Sequence, residues 1–118
     1  MLLVVAGMFA LTSCNKEKKI PEKITVSGQV TYENGHAAEG VTVEVVSDYL
    51  MAIPTPVDVP VYTDENGHYT YEFKPNKDLT YGILFRINKD GDQYSQQEAL
   101  TKWEVEQVCN VVLMKIEE

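Results

Sequence analysis

Residues 59 to 73 read Val-Pro-Val-Tyr-Thr-Asp-Glu-Asn-Gly-His-Tyr-Thr-Tyr-Glu-Phe, and the spacing of apolar side chains in this stretch decides the fold class. Tyr69, Tyr71 and Phe73 alternate with His68, Thr70 and Glu72, the period of two that turns one strand face to a core and the other to water. Val59 and Val61 alternate likewise over Asp58 to Thr63, and Asp64-Glu65-Asn66-Gly67 supplies the turn between the two runs. The stretch is therefore expected to form a β-hairpin.

The same period recurs on both sides. Ile24, Val26, Gly28, Val30 and Tyr32 alternate with Thr25, Ser27, Gln29 and Thr31, and Glu33-Asn34-Gly35 then reverses the chain. Val41, Val43 and Val45 follow on one face of a second run, with Thr42 and Glu44 on the other. Tyr81, Ile83, Phe85 and Ile87 alternate over Thr80 to Asn88, before a third turn at Lys89-Asp90-Gly91-Asp92. Gln107 to Ile116 reads as a last, Val-rich strand. Between these, Gln93 to Glu106 is open: Trp103 and Val105 alternate with charges as in a strand, whereas Gln96 to Leu100 suits a helical turn. Short strands about ten residues apart, with no sustained helical period, predict an all-β fold, an antiparallel two-sheet Greek-key sandwich of about seven strands.

Three segments carry a family resemblance: Ser27-Gly28-Gln29-Val30, Gly40-Val41-Thr42-Val43-Glu44-Val45, and Tyr62-Thr63-Asp64-Glu65-Asn66-Gly67-His68-Tyr69-Thr70-Tyr71. Together they resemble the carboxypeptidase regulatory-like domain of the transthyretin-like superfamily, over roughly Lys23 to Asn88. The resemblance implies a transthyretin-like sandwich and no particular activity. The superfamily's hydroxyisourate hydrolases end in a Tyr-Arg-Gly-Ser-type tail, whereas this chain ends Met114-Lys115-Ile116-Glu117-Glu118 with its one Arg, Arg86, inside a strand. That activity is not expected here.

Ahead of the domain, Met1 to Ala10 is an uncharged apolar run, too short to cross a bilayer and of the length of a signal-peptide core. Leu11-Thr12-Ser13-Cys14 follows at once and resembles the bacterial lipobox, and Asn15-Lys16-Glu17-Lys18-Lys19 then breaks the composition sharply. The resemblance implies cleavage before Cys14 and acylation of its thiol and new amino group, a multi-chain anchor that holds stably where one chain holds reversibly. The expected organisation is a signal peptide over 1–13, a lipidated Cys and flexible tether over 14–23, and the β-domain over 24–118. Asn15 behind the Cys favours an outer-membrane lipoprotein. With Cys14 lipidated, Cys109 stands alone among Val108, Val111, Val112 and Leu113 as a small apolar core residue, and packing rather than a disulfide must hold the domain.

The stretch Ser47 to Pro60 is an insertion relative to the family pattern. It carries Tyr49, Leu50, Met51 and Ile53 with prolines 54, 56 and 60. Prolines hold it extended and remove ladder donors, so it either folds back over a sheet edge or offers a partner-binding loop built on those four apolar residues.

Chemistry is sparse. A net charge of −8, from 18 acids against 10 Lys and Arg, excludes a nucleic-acid partner. No nucleophile elbow, Cys-x-x-Cys, zinc-protease or phosphate-loop pattern occurs, and His36 and His68 both sit at turns. Asn88-Lys89-Asp90-Gly91-Asp92 with Glu98 fails as a calcium loop, since the sixth and twelfth positions hold Gln93 and Ala99. No cofactor and no metal are expected. The reading is a non-catalytic, membrane-tethered envelope protein whose domain binds an envelope protein or a glycan. The alternative is an accessory part of an extracellular peptide- or glycan-processing enzyme system.

Overall fold

The computed structural model describes residues 19–48 and 54–116, which form nine strands. They are β1 Ile24–Tyr32, β2 Thr42–Ser47, β3 Thr55–Pro56, β4 Val61–Tyr62, β5 His68–Phe73, β6 Tyr81–Lys89, β7 Asp92–Leu100, β8 Glu106–Val108 and β9 Val111–Lys115. The all-β class holds, with no helix among the described residues. The turn expected at Asp64 to Gly67 forms, with the Asp64 N–H donating to the His68 carbonyl at 3.0 Å, but its arms do not pair as a hairpin: Val61 and Tyr62 pair with Val43 and Thr42 of β2, whereas β5 pairs with β1. The first arm is also shorter than expected, a strand of Val61 and Tyr62 alone with Val59 exposed, because Pro60 has no N–H to give a ladder.

β7 settles the open segment as strand rather than helical turn. Asp90 and Gly91 both take positive φ, 54° and 84°, the two-residue turn whose twist matches its flanking strands. It aligns Lys89 with Asp92, and the ladder continues pair by pair to Tyr81 opposite Leu100.

The hydrogen-bonded order is β3-β2-β6-β7-β9-β1-β5, with β4 also on β2 and β8 also on β1. Two expectations are corrected here. The sheet is mixed rather than wholly antiparallel, because β8 and β9 run parallel to β1. β7 ends at Leu100 beside the start of β6, and residues 101–105 deliver the chain to the start of β1, so the next strand must run along β1 in its own direction. Nor do the strands separate into two hydrogen-bonded sheets. One path curls through all of them, and its two lobes join where Met114 and Lys115 of β9 pair with Ser95 and Tyr94 of β7.

The lobes close face to face on one core. Ile24, Val26, Val30 and Tyr32 of β1 and Tyr69, Tyr71 and Phe73 of β5 meet Val43 and Val45 of β2 and Tyr81, Ile83 and Phe85 of β6, all buried. Tyr69 packs edge-on to Phe85 at 5.3 Å between ring centroids, and Phe73 lies 4.9 Å from Tyr81. The described part of the insertion lies along the edge of β2, with Thr55 opposite Ser47 and the Val57 N–H on the Val45 carbonyl at 3.0 Å. It covers an edge that would otherwise present free backbone groups.

Candidate binding surfaces

β9 is apolar on both faces. Val111 and Leu113 stand opposite Val30 and Tyr32 and are buried, which turns Val112, Met114 and Ile116 to the outside, each between 44% and 47% exposed. Val108 of β8, opposite Ser27, shares that outer face and is 75% exposed. A solvated sheet face ordinarily carries polar side chains at such positions, as the neighbouring strands do here with Thr25, Ser27, Gln29, Thr31 and Ser95. The four side chains form an apolar ridge on a polar face.

A lock between chain segments 81 residues apart fixes the ridge in register. Cys109 lies over Gly28 so closely that a Cβ there would come within 2.1 Å of the Cys109 carbonyl oxygen. That carbonyl accepts from the Tyr69 hydroxyl at 2.6 Å, and the Gln29 N–H donates instead to Asn110 Oδ1 at 2.8 Å. The Cys109 N–H still donates to the Ser27 carbonyl at 2.8 Å. β8 and β9 are therefore two pieces of one partner strand, where the sequence pattern anticipated a single run. Burial, with Cys109 next, pushes the Tyr69 hydroxyl far above the ordinary phenol range, and burial also pushes the Cys109 thiol up. A thiol so placed is a poor nucleophile at neutral pH, in keeping with its packing role.

A second surface is a cleft of about 350 Å³ between the turns at 33–35 and 90–91. Tyr32 and Tyr94 meet edge to face at 5.2 Å, and Lys89 Nζ sits 4.6 Å from the Tyr32 ring centroid. Burial, then Tyr94 and Asp90, raises the Tyr32 hydroxyl. Asp92 on the rim pairs with Lys115 at 3.7 Å, and Glu33 and Asp90 share the lining with Lys89.

The residues singled out in the sequence fall elsewhere. Cys14 and the four apolar residues Tyr49, Leu50, Met51 and Ile53 lie outside the described residues. His36 and His68 are exposed beside their turns. Asn88 to Asp92 is the β6–β7 hairpin. Asp64 accepts from the N–H groups of Asn66 and His68, both at 2.9 Å, and the His68 bond leads in holding its carboxyl below the ordinary value of 3.8. Arg86 pairs with Glu44 at 3.3 Å. Among the described residues no three His, Cys, Asp or Glu side chains gather to hold a metal, and no helix is long and apolar enough to cross a membrane. The ridge had a visible signal, since the unbroken run Val111 to Met114 puts apolar side chains on both faces, but a fully buried strand has the same signature.

No protein-family model matches the chain, and no curated protein matches it. A solved structure shares its fold. The 3-chlorocatechol 1,2-dioxygenase from Rhodococcus opacus 1CP is 12% identical over 86% of this chain, with a TM-score of 0.51. The chlorocatechol 1,2-dioxygenase from Pseudomonas putida is 14% identical over 80% of it, with a TM-score of 0.45. The matched region spans 63% and 60% of those chains. Likeness at such identity shows an all-β architecture in common and leaves activity open.

Proposed function

We propose that this protein is a non-catalytic lipoprotein of the bacterial outer membrane, anchored through Cys14, whose β-domain binds an envelope protein. The observation that carries the binding role is the ridge of Val108, Val112, Met114 and Ile116, exposed on a face whose neighbouring side chains are polar or charged, Thr25, Ser27, Gln29, Thr31, Ser95, Glu72 and Glu106 among them. Such a patch with a polar surround is the usual mark of a protein contact. The anchor rests on Leu11-Thr12-Ser13-Cys14 and the polar break behind it. The two lobes closing on one core support the finer reading of a transthyretin-like sandwich of the carboxypeptidase regulatory-like kind, here with its lobes joined at β7–β9.

Two measurements test this reading. Intact mass of the membrane-fraction protein should show loss of residues 1–13 and acyl mass on Cys14, and Cys14→Ala should leave the membrane. An unmodified, soluble full-length chain would sink the anchor. A photo-crosslinking residue placed at Met114 in cells should give a discrete adduct that the same residue at Thr70 does not, and Val112→Glu should abolish it. Equal labelling from both positions would remove the ridge from consideration.

A further inference from the structure

We infer that the end of the domain from which the tether leaves is a bilayer-facing surface, with Trp103 and Val105 at the level of the lipid headgroups. This rests on the lipid anchor proposed above and adds an orientation to it. The described chain reaches the domain at Ile24, the first residue of β1, and residues 15–23 are all that separate that point from Cys14. Fully extended, nine residues span at most about 30 Å, and as a flexible coil roughly 17 Å. The start of β1 is therefore held close to the membrane whichever way the domain turns.

Pairing places particular residues at that end. Ile24 is opposite Phe73, Thr25 is opposite Glu106, and the Thr25 N–H donates to the Val105 carbonyl at 2.8 Å. Tyr81 is opposite Leu100, so the connections 74–80 and 101–105 both lie at this end. The turns at 33–35, 64–67 and 90–91 lie at the other.

The 101–105 connection is built rather than loose. Gln107 Nε2 donates to the carbonyls of Thr101 at 2.7 Å and Glu104 at 3.2 Å, and Gln107 Oε1 accepts from the Thr101 N–H at 3.2 Å. Lys102 Nζ donates to the carbonyls of Lys77 and Leu79, which ties this connection to the other, and it lies 5.7 Å from the Trp103 ring centroid. Thus held, the connection presents Trp103, 36% exposed, and Val105, 57% exposed, beside the point where the tether attaches. An indole with one wet edge is the side chain most at home between headgroups and acyl chains.

Lys23, Lys74, Lys77 and Lys102 stand at this end and can meet headgroup phosphates. Acids outnumber them: Glu72, paired with Lys23 at 3.4 Å, with Glu22, Asp48, Asp58, Asp78, Glu104 and Glu106. Net charge therefore does not drive the contact. The anchor does, because tethering turns a weak interfacial preference into an intramolecular equilibrium at high effective concentration.

Trp103 is the chain's single Trp, so its emission reports the contact directly. The acylated protein purified from membranes, beginning at Cys14, is reconstituted into phosphatidylethanolamine and phosphatidylglycerol vesicles, with and without brominated acyl chains. The expected result is a shift of Trp103 emission to shorter wavelength and loss of most of it with brominated lipid. A Trp103→Phe, Asn34→Trp variant, whose reporter is at the far end, should keep its emission. Acylated protein that floats with the vesicles while Trp103 stays unquenched, or while Trp at 34 is quenched equally, would overturn the orientation and leave the anchor standing. A chain without acyl mass that does not float would overturn the anchor and the orientation with it.

Discussion

β6 and β7 are neighbours in one antiparallel ladder, yet their sequences have little in common. β6 alternates Tyr81, Ile83, Phe85 and Ile87 with Gly82, Leu84, Arg86 and Asn88, and the first three of its odd positions are buried in the core. β7 reads Asp-Gln-Tyr-Ser-Gln-Gln-Glu-Ala-Leu and buries no side chain fully. The difference teaches that alternation reports burial, whereas pairing is a backbone property. β7 is a strand because the Asp90-Gly91 turn delivers it in register and the flanking strands satisfy its backbone groups.

The comparison breaks hardest at Phe85. Phe85→Ala removes a buried ring that packs on Tyr69 and should cost about 3–5 kcal/mol, against a change within about 0.5 kcal/mol for Gln97→Ala in β7. Urea unfolding of both variants checks this, and similar losses would mean that β7 carries packing its exposure conceals. Gly28→Ala drives a Cβ into the Cys109 carbonyl and should cost about 1–3 kcal/mol. Hydrogen exchange should show the loss concentrated in β8 and β9, and uniform loosening would argue that the lock is not local.

Gly91→Ala forces a side chain into positive φ, at about 1–2 kcal/mol. It should lower the melting temperature through the β6–β7 hairpin without touching the core, which near-ultraviolet circular dichroism can follow. The smallest effect concerns Asp64. Its folded carboxyl lies below the ordinary value of 3.8, so its contribution is complete above that value and is lost as pH falls through the depressed one. Asp64→Asn should therefore flatten the acid limb of a melting-temperature titration slightly and leave the neutral limb unchanged in slope. A steeper acid limb would contradict the assignment.

Legibility followed the same division. β1, β2, β5 and β6 were readable because each has one buried face. β7 left two readings open because neither of its faces is apolar. The ridge was hidden by ambiguity rather than by weakness of signal: Val111 to Met114 reads as a doubly buried strand until its outer neighbours are known to be Thr31 and Ser95. The parallel run of β8 and β9 was beyond reach, since no local pattern distinguishes parallel from antiparallel partners.

Composition, alternation and turn chemistry by themselves determined an all-β domain, most of its strands and its three reversals, because each depends on residues adjacent in the chain. Only the tertiary structure decided that one curled mixed sheet forms, that Cys109 lies on Gly28, and that Val112, Met114 and Ile116 face outward while Trp103 stands at the end where β1 begins. Those outcomes depend on which backbone edges meet across long separations, and side-chain pattern along a strand carries no record of the partner on either side.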